Sequence, residues 1–283
     1  MKRIVALPVA VLTVAWLVAL GGCGPQEARP PKAEQARSEV PQPAPVEQPA
    51  PSKPAAKPVE ASEPEPESAP EAKAVDLGPP LVEHVERLVR LDPKYTVFID
   101  KQKKQVVMVG QVCQRQVPLE LFACPKNTKE HEAIVSIPTK AMIVHAALLA
   151  VGAEPGEPAH FDPYTPARGQ EVAVDLVWKD AKGEIRRGRA QDWVKNASTG
   201  KALDKPWIFA GSGFWTDPTT KERHYQAEAG DLICVSNFSS ATLDIAVQSS
   251  SANDSLAYEA FTERIPPKGT PVTLVLTPQP RKR

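Results

Sequence analysis

Fifteen of the chain's 31 prolines fall within residues 24–80, a stretch of 57 residues that holds no aromatic side chain. Proline fixes φ, removes a backbone donor and pushes the residue before it towards extended conformations, so this stretch cannot form a helix interior or a central strand. Its large apolar residues are too few to offset the chain entropy that folding would cost. A single globule of 283 residues is therefore excluded. The expectation is a disordered, semi-rigid tether over residues 23–80 that reaches on the order of 170 Å at full extension, at ~3.1 Å per residue. Residues 81–278 are then the globular domain, with a core of ordinary size, and residues 279–283 a basic tail. Charge supports the same division: residues 24–80 carry 6 basic and 10 acidic side chains, whereas residues 81–283 carry 26 and 24. Neither part has the positive excess that nucleic-acid binding requires.

The N-terminus reads as an address. Met1-Lys2-Arg3 is a short basic start, and residues 4–20 are apolar except for Pro8 and Thr13. This is the charge and hydropathy pattern of a secretory leader, and it lies at the lower length limit for a membrane span. It ends in Leu20-Gly21-Gly22-Cys23, which resembles a bacterial lipobox. The resemblance implies a leader over residues 1–22, acylation of Cys23 and a membrane as partner through that residue. Gly24 in the following position implies an outer-membrane destination. Several acyl chains on one residue anchor a protein far better than a single chain does.

In the folded part, residues 81–91 (LVEHVERLVRL) show helical apolar spacing after a proline pair. Residues 95–100 and 105–113 are β-rich and predict a hairpin, and residues 118–124 a third strand turning back near Arg115-Gln116. Residues 138–151 are apolar on nearly all sides and predict a buried helix. Residues 171–180 and 184–189 predict a second hairpin, with further strands over 207–211, 223–227, 231–236 and 272–277. The fold class expected from this balance is α+β, a mostly antiparallel sheet with one buried helix and a few short ones.

Apart from Cys23, the domain has three cysteines, Cys113, Cys124 and Cys234. A hairpin turning near Arg115-Gln116 would set Cys124 opposite Val107, with its sulfur roughly 20 Å from that of Cys113, too far for a disulfide. The cysteine spacing matches no zinc or iron–sulfur ligand run. Cys124 to Glu132 is the segment with the richest chemistry. A thiol at a strand end, His131 seven residues on, and Glu130 and Glu132 beside it are the residue types of a thiolate–imidazole nucleophile. Cys124 would attack, His131 act as base and Glu132 or Glu130 orient it. A metal held by His131, Glu132 and His145 is a variant, although the second histidine of the helical zinc motif is missing. The plain structural alternative is a surface loop whose charges pair with one another. His145 shares a helix face with Ala141, Met142, Leu148 and Leu149, which suits a core histidine of lowered pKa. Asp192-Trp193 follows Arg186, Arg187 and Arg189, a basic group that an anion could find. Trp178, Trp193, Trp207 and Trp215 are close enough in sequence to line a ligand groove. No cofactor can be assigned from these residues.

Five blocks carry a resemblance: PLELFACPKNTKEHEAIV (118–135), HAALLAVGAEPG (145–156), Asp192-Trp193, WIFAGS (207–212) and DLICVSNF (231–238). Together they resemble the YdjY-domain family of exported bacterial proteins, many of them lipoproteins of the planctomycete type. The resemblance spans about residues 92–278 and implies no established activity. It makes Lys129, Glu130, His131 and Glu132 a family hallmark. The ferredoxin-like label given to some relatives is not supported here, because the cysteine run of a cluster is absent. The reading is thus a lipid-anchored envelope protein whose domain binds a small ligand or protein partner near Cys124–Glu132, with Lys129, Glu130, His145, Asp192 and Trp193 as ligand contacts. An enzyme and a purely structural surface module are the alternatives.

Overall fold

The structure, a computed structural model, describes residues 76–250 and 256–281. The leader, Cys23 and nearly all of the expected tether lie outside the described residues. Ten strands are named here: β1 (Val97–Asp100), β2 (Gln105–Val112), β3 (Leu121–Pro125), β4 (Ala133–Ile137), β5 (Gln170–Lys179), β6 (Ile185–Arg189), β7 (Trp207–Phe209), β8 (Ile233–Cys234), β9 (Leu243–Ile245) and β10 (Pro271–Pro278). The one α-helix among the described residues, α1, is Ala141–Ala150.

Eight of the strands close on themselves. The ring runs β2, β10, β5, β7, β9, β8, β3, β4 and back to β2. Two neighbours in it, β8–β9 and β3–β4, are parallel, and the rest are antiparallel. This corrects the expectation of an α+β domain on an open antiparallel sheet: the fold is a mostly-β closed barrel with one helix and several 3-10 turns. Closure depends on strands that divide an edge between two partners. One edge of β2 pairs with β10; the other pairs with β1 at Gln105–Met108 and with β4 at Gln111 and Val112. β5 does the same, sharing its second edge between β7 and β6. The crossing of β4 over β2 is tight. A Cβ on Gly110 would lie 2.6 Å from the carbonyl oxygen of Ser136, so only glycine fits there.

Period-two alternation fills the inside. Val106 and Met108 of β2, Val172, Val174 and Leu176 of β5, Val272, Leu274 and Leu276 of β10, and Leu243 and Ile245 of β9 belong to one core cluster. Trp207 and Phe122 meet at 5.5 Å between ring centroids, and Trp193 packs at 5.0 Å from Trp178. Burying each such ring is worth about 1.5–3 kcal/mol. The indole of Trp207 donates to the carbonyl of Cys234 at 2.7 Å, so this buried polar tip is satisfied.

Three local expectations change. Residues 81–91 form no α-helix: they give a 3-10 turn, Val85–Arg87, and a short strand, Val89–Arg90, which pairs with β1. His84 sits in the left-handed region at φ 60°, and Val85 and Val89 stay exposed, so the helical spacing had no face to pack against. β3 does not fold back on β2; β4 comes between them, and β3 pairs with β4 and β8. α1 is buried along one face only, through Ala141, Val144, Ala147 and Leu148, while Met142 and Leu149 are exposed.

Candidate functional site

Lys129 lies at the centre of what the Cys124–Glu132 segment builds. β3 ends at Pro125, and a turn with Asn127 at φ 65° leads to the 3-10 turn Glu130–Glu132. Glu130 supports this turn by accepting from the Asn127 N–H at 2.9 Å. The Lys129 ammonium is then 3.1 Å from Asp231, 3.6 Å from Glu132 and 3.7 Å from Glu120, and 4.4 Å from the centre of the Phe238 ring. Gly230, at φ 135°, makes room for the stem: a Cβ there would meet Lys129 carbons at 2.6–3.2 Å. Burial works against the ammonium, but Asp231, and then Glu132 and Glu120, hold its pKa above the ordinary lysine value. Glu120 is 8 % exposed, and its pKa is raised by burial and by facing Glu132. Asp231 also accepts a hydrogen bond from the Ser240 hydroxyl. A lysine so committed stays protonated and is no nucleophile; it balances three carboxylates of which two are buried.

The thiols are buried beside this cluster. Cys113, Cys124 and Cys234 share a second apolar cluster with Leu121, Ala133 and Ala241, and Phe238 packs on it. All three are free and buried. Burial pushes the Cys113 and Cys124 thiols up to about 12, and that of Cys234 well above the usual value. β4 is what brings Cys113 into the same cluster as Cys124, a proximity that the expected hairpin did not allow. His131 lies outside, its side chain 76 % exposed and 3.7 Å from Glu132. Cys124 and His131 are therefore not joined into a nucleophile and base.

The remaining expected contacts disperse. His145, on α1, bonds through Nδ1 to the Tyr225 hydroxyl at 2.9 Å, and burial lowers its pKa. Asp192 accepts from the Arg189 N–H at 3.2 Å and pairs with its guanidinium at 2.9 Å, closing the 3-10 turn Ala190–Trp193. Trp193 is core, not surface. The hollow of about 510 Å³ beside β5 and β6 includes Asp192, Arg187 and Arg189, but these charges pair locally, Arg187 with Glu83 at 3.9 Å and Arg189 with Asp192. Among the described residues no group of three or more His, Cys, Asp or Glu side chains is arranged to hold a metal ion.

Of the four tryptophans expected to line a groove, only Trp215 borders a concavity. The hairpin Phe214–Thr216 with Arg223–Tyr225 sets Trp215 opposite His224, ring centroids 5.4 Å apart. Trp215 is 48 % exposed, and with His224, Tyr225, Gln226 and Ser239 it borders an open hollow of about 530 Å³. The Tyr225 hydroxyl is pinned by His145, by the Gly211 carbonyl at 3.1 Å and by Thr242 at 3.1 Å. The tryptophan spacing pointed at Trp215; the pairing of FWT with RHY was the signal for the rest. Glu120 and Asp231 were missed, although each stands beside an apolar strand, where an acid seldom falls without a partner.

No curated protein and no solved structure gives a match to this chain. A family model does, described as the YdjY domain, over residues 97–277, which begins at β1 and ends in β10. The blocks 118–135 and 231–238 thus fall inside the match and together supply the Lys129 cluster, and the chain belongs to the YdjY domain family.

Proposed function

We propose that this chain is an exported, lipid-anchored envelope protein whose YdjY barrel serves as a binding module. The observation that carries the binding role is a contrast. The candidate nucleophile Cys124 is fully buried with its thiol pushed up to about 12, whereas the Trp215 concavity is open and lined by an aromatic platform with polar neighbours. The Lys129 cluster supports the module by tying the loop 125–132 to Asp231, just before β8, and to Glu120, just before β3, rather than by presenting chemistry. Anchoring rests on Leu20-Gly21-Gly22-Cys23 and on the proline-rich stretch behind it.

Two measurements test this. Thiol-reagent kinetics across pH, residue by residue, should find Cys124 as inert as Cys113 and Cys234 in the native protein. A depressed pKa at Cys124 alone would restore the thiolate enzyme. Fatty-acid labelling in the producing cell should mark the wild-type chain and be lost in Cys23→Ser; equal labelling of both would remove the anchor.

A further inference from the structure

We infer that the Trp215 concavity is a saccharide site, taking a neutral sugar ring with its apolar face on the indole. This rests on the binding-module reading and adds the ligand class. The exposed platform is Trp215 alone: neighbouring strand positions face opposite ways, so Phe214 turns away from it, with Arg223 4.4 Å over its ring. His224 backs Trp215, tilted 30° to it. A groove for an extended proline-rich peptide needs successive exposed aromatic slots; of the rings in this lining, Trp215 is exposed, His224 lies against it and Tyr225 is buried.

The platform is also preorganised. In the hairpin's turn the Asp217 carboxylate accepts from the N–H groups of Thr219 at 2.7 Å and Thr220 at 3.0 Å, and its main chain bonds Glu222 and Lys221 at 2.9 Å. The base is held by the three bonds to the Tyr225 hydroxyl described above. Little ordering entropy is left for a ligand to offset.

The charge around the hollow selects a neutral ligand. Glu228 reaches it, but its two oxygens accept from the α1 amides of Ala141 at 3.2 Å and Met142 at 3.0 Å, so the helix terminus already compensates it. His224 has Glu222 at 3.9 Å, and the Ser240 hydroxyl is given to Asp231. What remains is an indole face with the amide of Gln226 and the hydroxyl of Ser239 in the same lining. That set matches a ring with one C–H face and hydroxyls at its edge, and it offers neither an anion nor a cation a free counter-charge.

The experiment titrates the full-length chain with cellotriose, maltotriose and chitotriose, and separately with a neutral proline-rich peptide, following tryptophan emission and ligand-observed NMR. The expected result is saturable binding of at least one trisaccharide at millimolar or lower concentration, weakened about tenfold or more in Trp215→Ala and partly restored in Trp215→Phe. Because Trp215 is half exposed, both variants should keep the wild-type unfolding transition, which shows that the fold is intact. No saturable response to any trisaccharide, or equal binding by Trp215→Ala, overturns the saccharide site. A Trp215-dependent response to the peptide alone overturns the ligand class and leaves the binding module standing; silence towards all probes removes both.

Discussion

At the residue scale, the most consequential side chain is Lys129, because three carboxylates depend on one ammonium. Its replacement by methionine keeps the stem that fills the space beside Gly230 but leaves Glu120, Glu132 and Asp231 facing one another. Lys129→Met is expected to lower stability by roughly 2–4 kcal/mol near neutral pH. The loss should shrink in acid, because Glu120, whose pKa is raised by burial and by Glu132, takes up a proton and stops repelling its neighbours. Urea unfolding at neutral and acid pH measures both; a pH-independent loss would mean that only packing was removed. The thiols give a second residue-scale prediction. Since burial holds Cys113 and Cys124 near 12, neither should react with a thiol reagent in native protein at mildly alkaline pH, and both should react at once after unfolding.

At the scale of elements, β9 carries an instructive anomaly in Asp244. It is fully buried; its Oδ1 accepts from Asn237 at 3.0 Å and from the Ile245 N–H at 2.7 Å, while its Oδ2 has no hydrogen-bond partner. Burial raises its pKa to about 7 against the pull of those hydrogen bonds. The sign follows from where the proton sits. Folding favours the protonated form, so this group's contribution is fully present below the ordinary carboxylate range and is lost as pH rises through about 7. Thermal unfolding should therefore show the wild type losing stability from the ordinary carboxylate range up to about pH 7 and little further above it, with Asp244→Asn flatter across that window. A second prediction concerns the crossing of β4 over β2. Gly110→Ala places a methyl against the Ser136 carbonyl and should cost about 1–3 kcal/mol or more, read as an earlier denaturant midpoint.

These elements also show what was legible in the sequence. The β-rich runs over 105–113 and 272–277 and the alternation over 171–180 are legible in the sequence, and strands stand there, at Gln105–Val112, Pro271–Pro278 and Gln170–Lys179. Closure left no such imprint. It arises because β2 and β5 each divide an edge between two partners, a fact about pairing at long range that no local period encodes. The helical spacing of 81–91 misled for the same reason: a short amphipathic segment becomes a helix only if tertiary packing accepts its face. The loop 125–132 was found from its residue types, but its partners Glu120, Asp231 and Phe238 come from two other parts of the chain. Only Lys129 among the expected contacts proved central to them.

For the whole molecule, the decisive feature is the place of β10. It is the last of the described strands, yet it lies between β2 and β5, pairing with the one from Pro271 to Leu276 and with the other from Val272 to Pro278. A chain ending at residue 270 would leave two long strands with bare edges and an open barrel, and is expected to show no cooperative unfolding transition and to aggregate. The same geometry governs timing. A polypeptide that emerges N-terminus first, from a ribosome or through a membrane pore, carries every other strand into its new surroundings before the stave that locks the cask arrives. The barrel therefore cannot close before β10 is delivered, and its cooperative packing waits on that one stave.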